Sequence, residues 1–536
     1  MSEKEYIVSL NKDIDYDAFW EQIENASDGD GFVPTRRVDI INERLGSLRS
    51  CHYALTDEEA AILANDPRVY SVEIPPDQRD DIEIGHHAIQ SGTWTKDATM
   101  RSTDLNWGMI RGAYGDDQWG NGTTSIVKEF PYTLTGKGVD IVIHDTGLSI
   151  NHPEYTDANG NSRVKLVNWY TESGIVGTQA ADNVYYTDYH GHGSHVGGTI
   201  AGKTMGWAKD AHIYALKVNG LEGTGDTSGT SITNCFDVVK LWHRNKPIDP
   251  TTGFKRPTVV NMSWGYGGNR SSIVSGTFRG TPWTYGDPGF STSNEVWANA
   301  GIIPGLPTTR RLNVRVGSVD IDLEELIAEG VHVCIAAGNS YYYVAVNGDQ
   351  DYNNTVNLGL GSEFYHRGSS PYSTNAFMVG NLDITYQGGL EHKAESSCTG
   401  PGVDIYAPGT SITSAASTDK AGGCDLTDGT ISSATTANSP LNSSFKLMKI
   451  SGTSMASPNV AGMIATILEA NPGMTPAQMK TFIHNNATQN ALYDTGVPSS
   501  NWNDQDSVHG GPNRIFKTPF VNSVQVSYTG GIVKKA

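Results

Sequence analysis

Short apolar runs that stop on glycine or polar residues divide this chain into elements. GVDIVIHDTG (138–147) is apolar through Ile143 and closes on Asp145, Thr146 and Gly147, and VHVCIAAGN (331–339) closes on Ala336, Ala337, Gly338 and Asn339. Runs of this length predict buried strands, and the first puts a carboxylate at the C-terminal edge of a sheet, where open α/β sheets hold their ligands. Asn459 to Leu468 differs, being apolar on every side, so it predicts a helix buried nearly all round with Pro458 tolerated in its first turn. Near the N-terminus, YIVSLNKDIDYDAFWEQI passes from a strand pattern into a helical one, and LRSCHYALTDEEAAILANDPRVYSVEIPPD reads strand, helix, strand, with Thr56 opening the helix. The reading is an α/β chain in two folded parts, parted by a polar stretch from Pro76 to Thr103 that is rich in Asp, His and Thr.

The helix start at ISGTSMASPNV (450–460) holds Ser454. Unpaired N–H groups and the positive end of the macrodipole favour an oxygen gaining negative charge there. A serine in that place is most often just a cap. It becomes a nucleophile only if the chain also supplies a base and a group that orients the base. Two stretches qualify: the strand ending at Asp145, and DYHGHGSHVGGTIAG (188–202), whose small residues after His192 let a helix pack closely.

VIHDTG, HGSHVGGT and GTSMASP, in the order Asp, His, Ser, resemble the three signatures of the subtilisin-like serine proteases. The resemblance implies that Asp145 orients, His192 is general base and acid, and Ser454 is the nucleophile, with His195 a structural histidine and His190 outside the catalytic positions. IAAGN resembles the family's oxyanion segment, so Asn339 and the backbone N–H of Ser454 are the expected donors; one such donor is worth about 3–4 kcal/mol of barrier. HIYALKV (212–218), VVNMSWG (259–265) and VDIYAPGTSI (403–412) resemble further strands and loops of the family's mainly parallel sheet. The implied fold is the three-layer subtilisin-like α/β fold. Gly223, Thr224 and Gly225, with Ser263, Trp264 and Gly265, resemble the two edges that grip substrate backbone as an added strand, and Ala336, Ala337 and Gly338 border the same cleft. Trp264 stands where the family has a smaller apolar residue, so it either narrows a pocket or packs in the core. The first 76 residues resemble the family's propeptide, which templates folding and occupies the active site until cleaved. LNWGMIRG (105–112) resembles the mature N-terminal segment, which puts maturation cleavage in 77–104. The protease domain is then 105–500, and 501–536 is an extension read as a wrap-around strand or docking tail. The alternative is a catalytically silent protein that keeps the fold.

Composition narrows the partners. A net charge of −20 without a basic stripe argues against nucleic acid, and no run of 18 apolar residues exists to span a membrane. The expected partners are a protein or peptide substrate and the chain's own N-terminal domain. MSEKEYIVSLNKD has no secretory signal pattern, and the cysteines at 51, 235, 334, 398 and 424 are odd in number, Cys398 and Cys424 being the pair that could close in an oxidising setting. A cytoplasmic or virion-borne enzyme is therefore expected, similar to the leaderless subtilases of bacteriophages. The chemistry needs no cofactor. A structural Ca²⁺ has candidate ligands in Asp349, Asp351 and Asn353 of NGDQDYNN, but the turn glycine of an EF-hand is missing and a solvated acidic loop is the favoured reading. Two departures from the family stand out. His144 replaces an apolar residue beside Asp145, and must find a partner if it faces the core. Residues 266–318 exceed what the family core requires, have loop composition, and are expected to wall the cleft or bind a partner.

Overall fold

The computed structural model describes residues 3–24, 36–44, 46–79, 82–86, 88–90, 107–115, 132, 134–221, 227–268, 273–302, 312–359, 361–387, 389–419, 436–439, 441–496 and 506–519. The long apolar runs build one nine-stranded sheet. Along one path its strands are His212–Lys217, Asp140–Asp145, Thr258–Met262, His332–Ala336, Phe377–Gln387, Ile405–Pro408 and Arg514–Ile515, each parallel to its neighbour. Helices His192–Ala201, Ile232–Asn245, Gly317–Ala328 and Thr453–Ala470 join this sheet into an α/β fold of the subtilisin-like kind, and the helix at 453–470 is buried from Thr453 to Leu468, as its all-round apolar pattern predicts.

Arg514–Ile515 lies in the segment read as a wrap-around strand or docking tail. It pairs with Tyr406 and with Thr488–Gln489 inside the central sheet, so this part of the segment read as an extension belongs to the sheet. Helix Trp107–Tyr114 is tied to the same corner, because buried Arg111 donates to both Glu391 oxygens (2.7 and 2.6 Å) and to the carbonyl of Phe516 (2.8 Å).

The N-terminal part has its own antiparallel sheet, ordered Ile40–Asn42, Ser50–Leu55, Lys4–Leu10, Val69–Glu73, and its own core of Val8, Leu10, Phe19, Ile23, Tyr53, Leu55 and Leu63. Thr56 caps the helix Asp57–Leu63 in a reciprocal box with Glu59. This domain docks on two helices of the larger one. Arg44 is buried between Asp237 (3.0 Å) and Asp322 (2.9 Å), and Glu73 accepts from the free N–H groups of Gly317 (3.3 Å) and Ser318 (2.6 Å) at a helix start.

The segment read as loop in 266–318 is ordered over much of its length. Ser275–Phe278 and Thr281–Thr284 form a hairpin that joins Thr355–Asn357 and Ser362–Phe364 in a four-stranded antiparallel sheet, followed by helix Ser293–Asn299. The acidic loop is solvated only in part, with Asn347, Gly348, Gln350 and Asn353 exposed. Asp351 is fully buried, with both carboxylate oxygens taken by Arg279 of the hairpin (2.8 and 2.9 Å).

Candidate active site

Asp145 ends its strand and accepts at one oxygen from the N–H of Thr146 (2.8 Å) and from Nδ1 of His192 (2.7 Å). Both side chains are fully buried. His192 opens its helix, and the helix start is held by Asp188, which sequence reading passed over. One Asp188 oxygen accepts from Thr146 Oγ1 (2.8 Å) and Gly191 N–H (2.7 Å), the other from the N–H (2.8 Å) and hydroxyl (2.6 Å) of Ser194. Four donors on one carboxylate tie the Asp145 turn to the His192 helix; the available signal was an acidic residue just before a helix start. Gly193 permits the contact, since a Cβ there would lie 2.2 Å from the carbonyl oxygen of Gly147. His195 is structural: its Nε2 donates to the carbonyls of Ile412 (3.0 Å) and Met448 (3.1 Å), and burial lowers its pKa to about 3. The His190 ring lies edge-on to that of His192 at 6.1 Å.

Ser454 sits in the first turn of its helix, which packs on the His192 helix. Its hydroxyl donates to the carbonyl of Ser263 (3.0 Å), and the Ser263 hydroxyl donates back to the Ser454 carbonyl (3.0 Å). Asn261 supports both segments, donating to Ser263 Oγ (2.8 Å) while accepting from Ser457 (2.7 Å). Asn339 is held by its acceptor end alone. Its Oδ1 accepts from the N–H (2.9 Å) and hydroxyl (3.0 Å) of Thr453, and its buried Nδ2 has no partner among the described residues. Gly338 donates its N–H to the Thr453 hydroxyl (3.1 Å), which fixes the end of the Ala336–Ala337–Gly338 run against the serine helix.

Ser263 and Trp264–Gly268 carry the expected substrate edge, but the Trp264 ring is buried and does not narrow a pocket. It is buried against His144, stacked at 5.3 Å, with its indole N–H donated to His144 Nδ1 (2.9 Å) and to the His144 carbonyl (3.0 Å). His144 and Trp264, each a departure from the family pattern, are thus partners. Burial lowers the His144 pKa to about 3, so the ring is a neutral acceptor. Gly223, Thr224 and Gly225 lie outside the described residues.

A strand of the chain's own backbone already pairs with that expected edge. Ile82–His86 pairs antiparallel with Trp264–Gly268, His86 opposite Trp264, and Ala88–Gln90 pairs with Ser451 and Gly452, two residues short of Ser454. The chain after the N-terminal domain therefore crosses the serine helix start in extended form.

The residues proposed for Ca²⁺ do not fit the ion. Asp351 is neutralised by Arg279, Asp349 accepts from Tyr343 and from the N–H of Asp351 (3.0 Å), and Asn353 Oδ1 accepts from Arg367 (2.7 Å). No cluster of three His, Cys, Asp or Glu suited to a metal occurs among the described residues. Cys398 is a buried thiol that accepts from Asn313 Nδ2 (3.6 Å), and Cys424, its candidate partner, lies outside the described residues. No helix of the described residues is long and apolar enough to cross a membrane.

Known proteins share this sequence and fold. An extracellular serine proteinase of Thermus sp. is 26% identical over 484 residues, covering 90% of this chain and 78% of that protein. A cuticle-degrading serine protease of Arthrobotrys oligospora is 26% identical, covering 77% and 68%. Fervidolysin from Fervidobacterium pennivorans, a keratinolytic enzyme related to subtilisin, superposes with a TM-score of 0.50 at 16% identity, over 96% of this chain and 60% of that one. Residues 136–516 match the subtilase family model, and the chain accordingly belongs to the subtilase family, as a subtilisin-like serine endopeptidase.

Proposed function

We propose that this endopeptidase works through an acyl-enzyme on Ser454 and is made as a zymogen. In this reading Ser454 turns about χ1 from the Ser263 carbonyl toward His192, which takes its proton as the hydroxyl attacks the scissile carbonyl. Asp145 holds Nδ1 of His192 protonated, leaving Nε2 as the base, and stabilises the imidazolium that forms; His192 then returns the proton to the leaving amine. The tetrahedral oxyanion meets the Asn339 amide and the Ser454 N–H. Water repeats the cycle to release the acid.

The observation that supports this most is the extended backbone at Ile82–His86 and Ala88–Gln90, paired on either side of the Ser454 helix start. A groove that takes a strand by main-chain hydrogen bonds suits a peptide substrate. The occupant being the chain's own linker supports an N-terminal propeptide cut in that linker. A fluorophosphonate probe tests the chemistry: after processing it should label Ser454, and Ser454→Ala should take up none. A processed wild type that stays unlabelled and hydrolyses nothing would mean a silent scaffold.

A further inference from the structure

Arg79 lies three residues before the strand that fills the groove, and it is the only Lys or Arg between residues 69 and 95, in a stretch otherwise acidic at Asp77, Asp80, Asp81 and Glu83. Its guanidinium meets Glu363, Nη2 to Oε1 at 2.5 Å, with each side chain only 10% exposed. Glu363 sits in Ser362–Phe364, the last strand of the added sheet that the hairpin 275–284 completes. The groove runs directly into this sheet. Gly268, paired with Ile82 at the far end of the edge strand, is so close to it that a Cβ would lie 2.2 Å from Leu358 Cδ1, in the turn joining Thr355–Asn357 to Ser362–Phe364.

We infer that Glu363 is a distal substrate subsite: the added sheet lengthens the cleft and selects peptides carrying a basic residue three positions before the stretch that pairs with Trp264–Gly268. This rests on the reading of that edge as the peptide-binding groove. A carboxylate removed from water costs free energy unless a cation meets it, so a shielded glutamate at the end of a peptide track discriminates by charge. A neutral residue leaves Glu363 without that cation. An acidic residue adds repulsion. The contact is far from the reacting atoms and equal in ground and transition states, so it acts on KM and not on kcat.

The test uses the full chain after self-processing is complete, with two synthetic peptides spanning residues 76–90, one with Arg at position 79 and one with Ala. The wild type should cut the Arg peptide with about 10-fold higher kcat/KM, the difference lying in KM. Glu363→Gln should lose the preference, and Glu363→Arg should transfer it to a peptide with Glu at that position. Equal cleavage of both peptides by the wild type overturns the distal subsite while the protease reading stands. Cleavage of neither overturns both.

Discussion

Thr453 claims the acceptor end of Asn339 twice, so the amide cannot flip without losing both hydrogen bonds, and its donor end is left without a partner among the described residues. A buried N–H left without a partner costs about 1–3 kcal/mol in the resting protein, and in the proposed mechanism that cost is recovered when the oxyanion forms. Asn339→Ala should therefore lower kcat by about 10²- to 10³-fold with KM nearly unchanged, as read by steady-state kinetics on a peptide; a loss confined to KM would mean ground-state binding instead. That Asn339, Asp145, His192 and Ser454 are the candidates could be read from their motifs. The His144–Trp264 hydrogen bond could not, because it joins residues 120 apart on different strands and each looked like an isolated exception. Either truncation, His144→Leu or Trp264→Leu, should destabilise by about 1–3 kcal/mol in denaturant unfolding. The double variant should cost clearly less than the sum, as contacting partners couple by about 0.5–3 kcal/mol, whereas simple additivity would show that the two rings act separately.

The strand Asp140–Asp145 carries the carboxylate that accepts from His192 at one end and an ion-pair cluster at the other. Burial opposes ionisation of Asp140, but His212, Lys246 and Arg256 outweigh it and hold the carboxyl at about 2. A folded-state pKa below the unfolded value near 4 contributes stability above pH 4 that is lost as pH falls toward 2. Asp140→Asn should thus cost about 2 kcal/mol at neutral pH, with the difference from wild type shrinking between pH 4 and 2 in urea titrations; a pH-independent difference would exclude this origin. Elements of this kind are legible because an unbroken apolar run has few alternatives to a buried strand. The hairpin 275–284 was hidden for the opposite reason. Among the described residues its strands pair only with each other and with Thr355–Asn357, so nothing local marks Gly, Pro and Ser-rich sequence as sheet. The same pairing explains the acidic loop, whose Asp351 looks like a cation ligand until Arg279 arrives from a segment 72 residues away.

At the scale of the molecule, three contacts of the N-terminal domain act together on one path. Arg44 is buried between Asp237 and Asp322, Glu73 caps the helix at Gly317, and Arg79 meets Glu363, after which the chain enters the groove. In the proposed zymogen each fixes the linker further before it reaches Ser454, so the fold holds the segment to be cut and its cleavage would be intramolecular. The existence of a separate α/β domain was legible from its strand–helix–strand patterns and the polar stretch behind it, but the stretch gave 28 candidate positions, 77–104, for a cut. Strand register narrows them. Pairing with the edge strand ends at His86 and pairing beside the serine resumes at Ala88, so the wild type should cleave between Gly85 and Ala88. Mass spectrometry should find an N-terminal fragment ending in that interval, formed at a rate unchanged by dilution, while Ser454→Ala stays a single 536-residue chain. A rate that rises with concentration would mean cleavage between molecules, and a wild type that remains intact while hydrolysing peptides would make the N-terminal domain a permanent part of the enzyme.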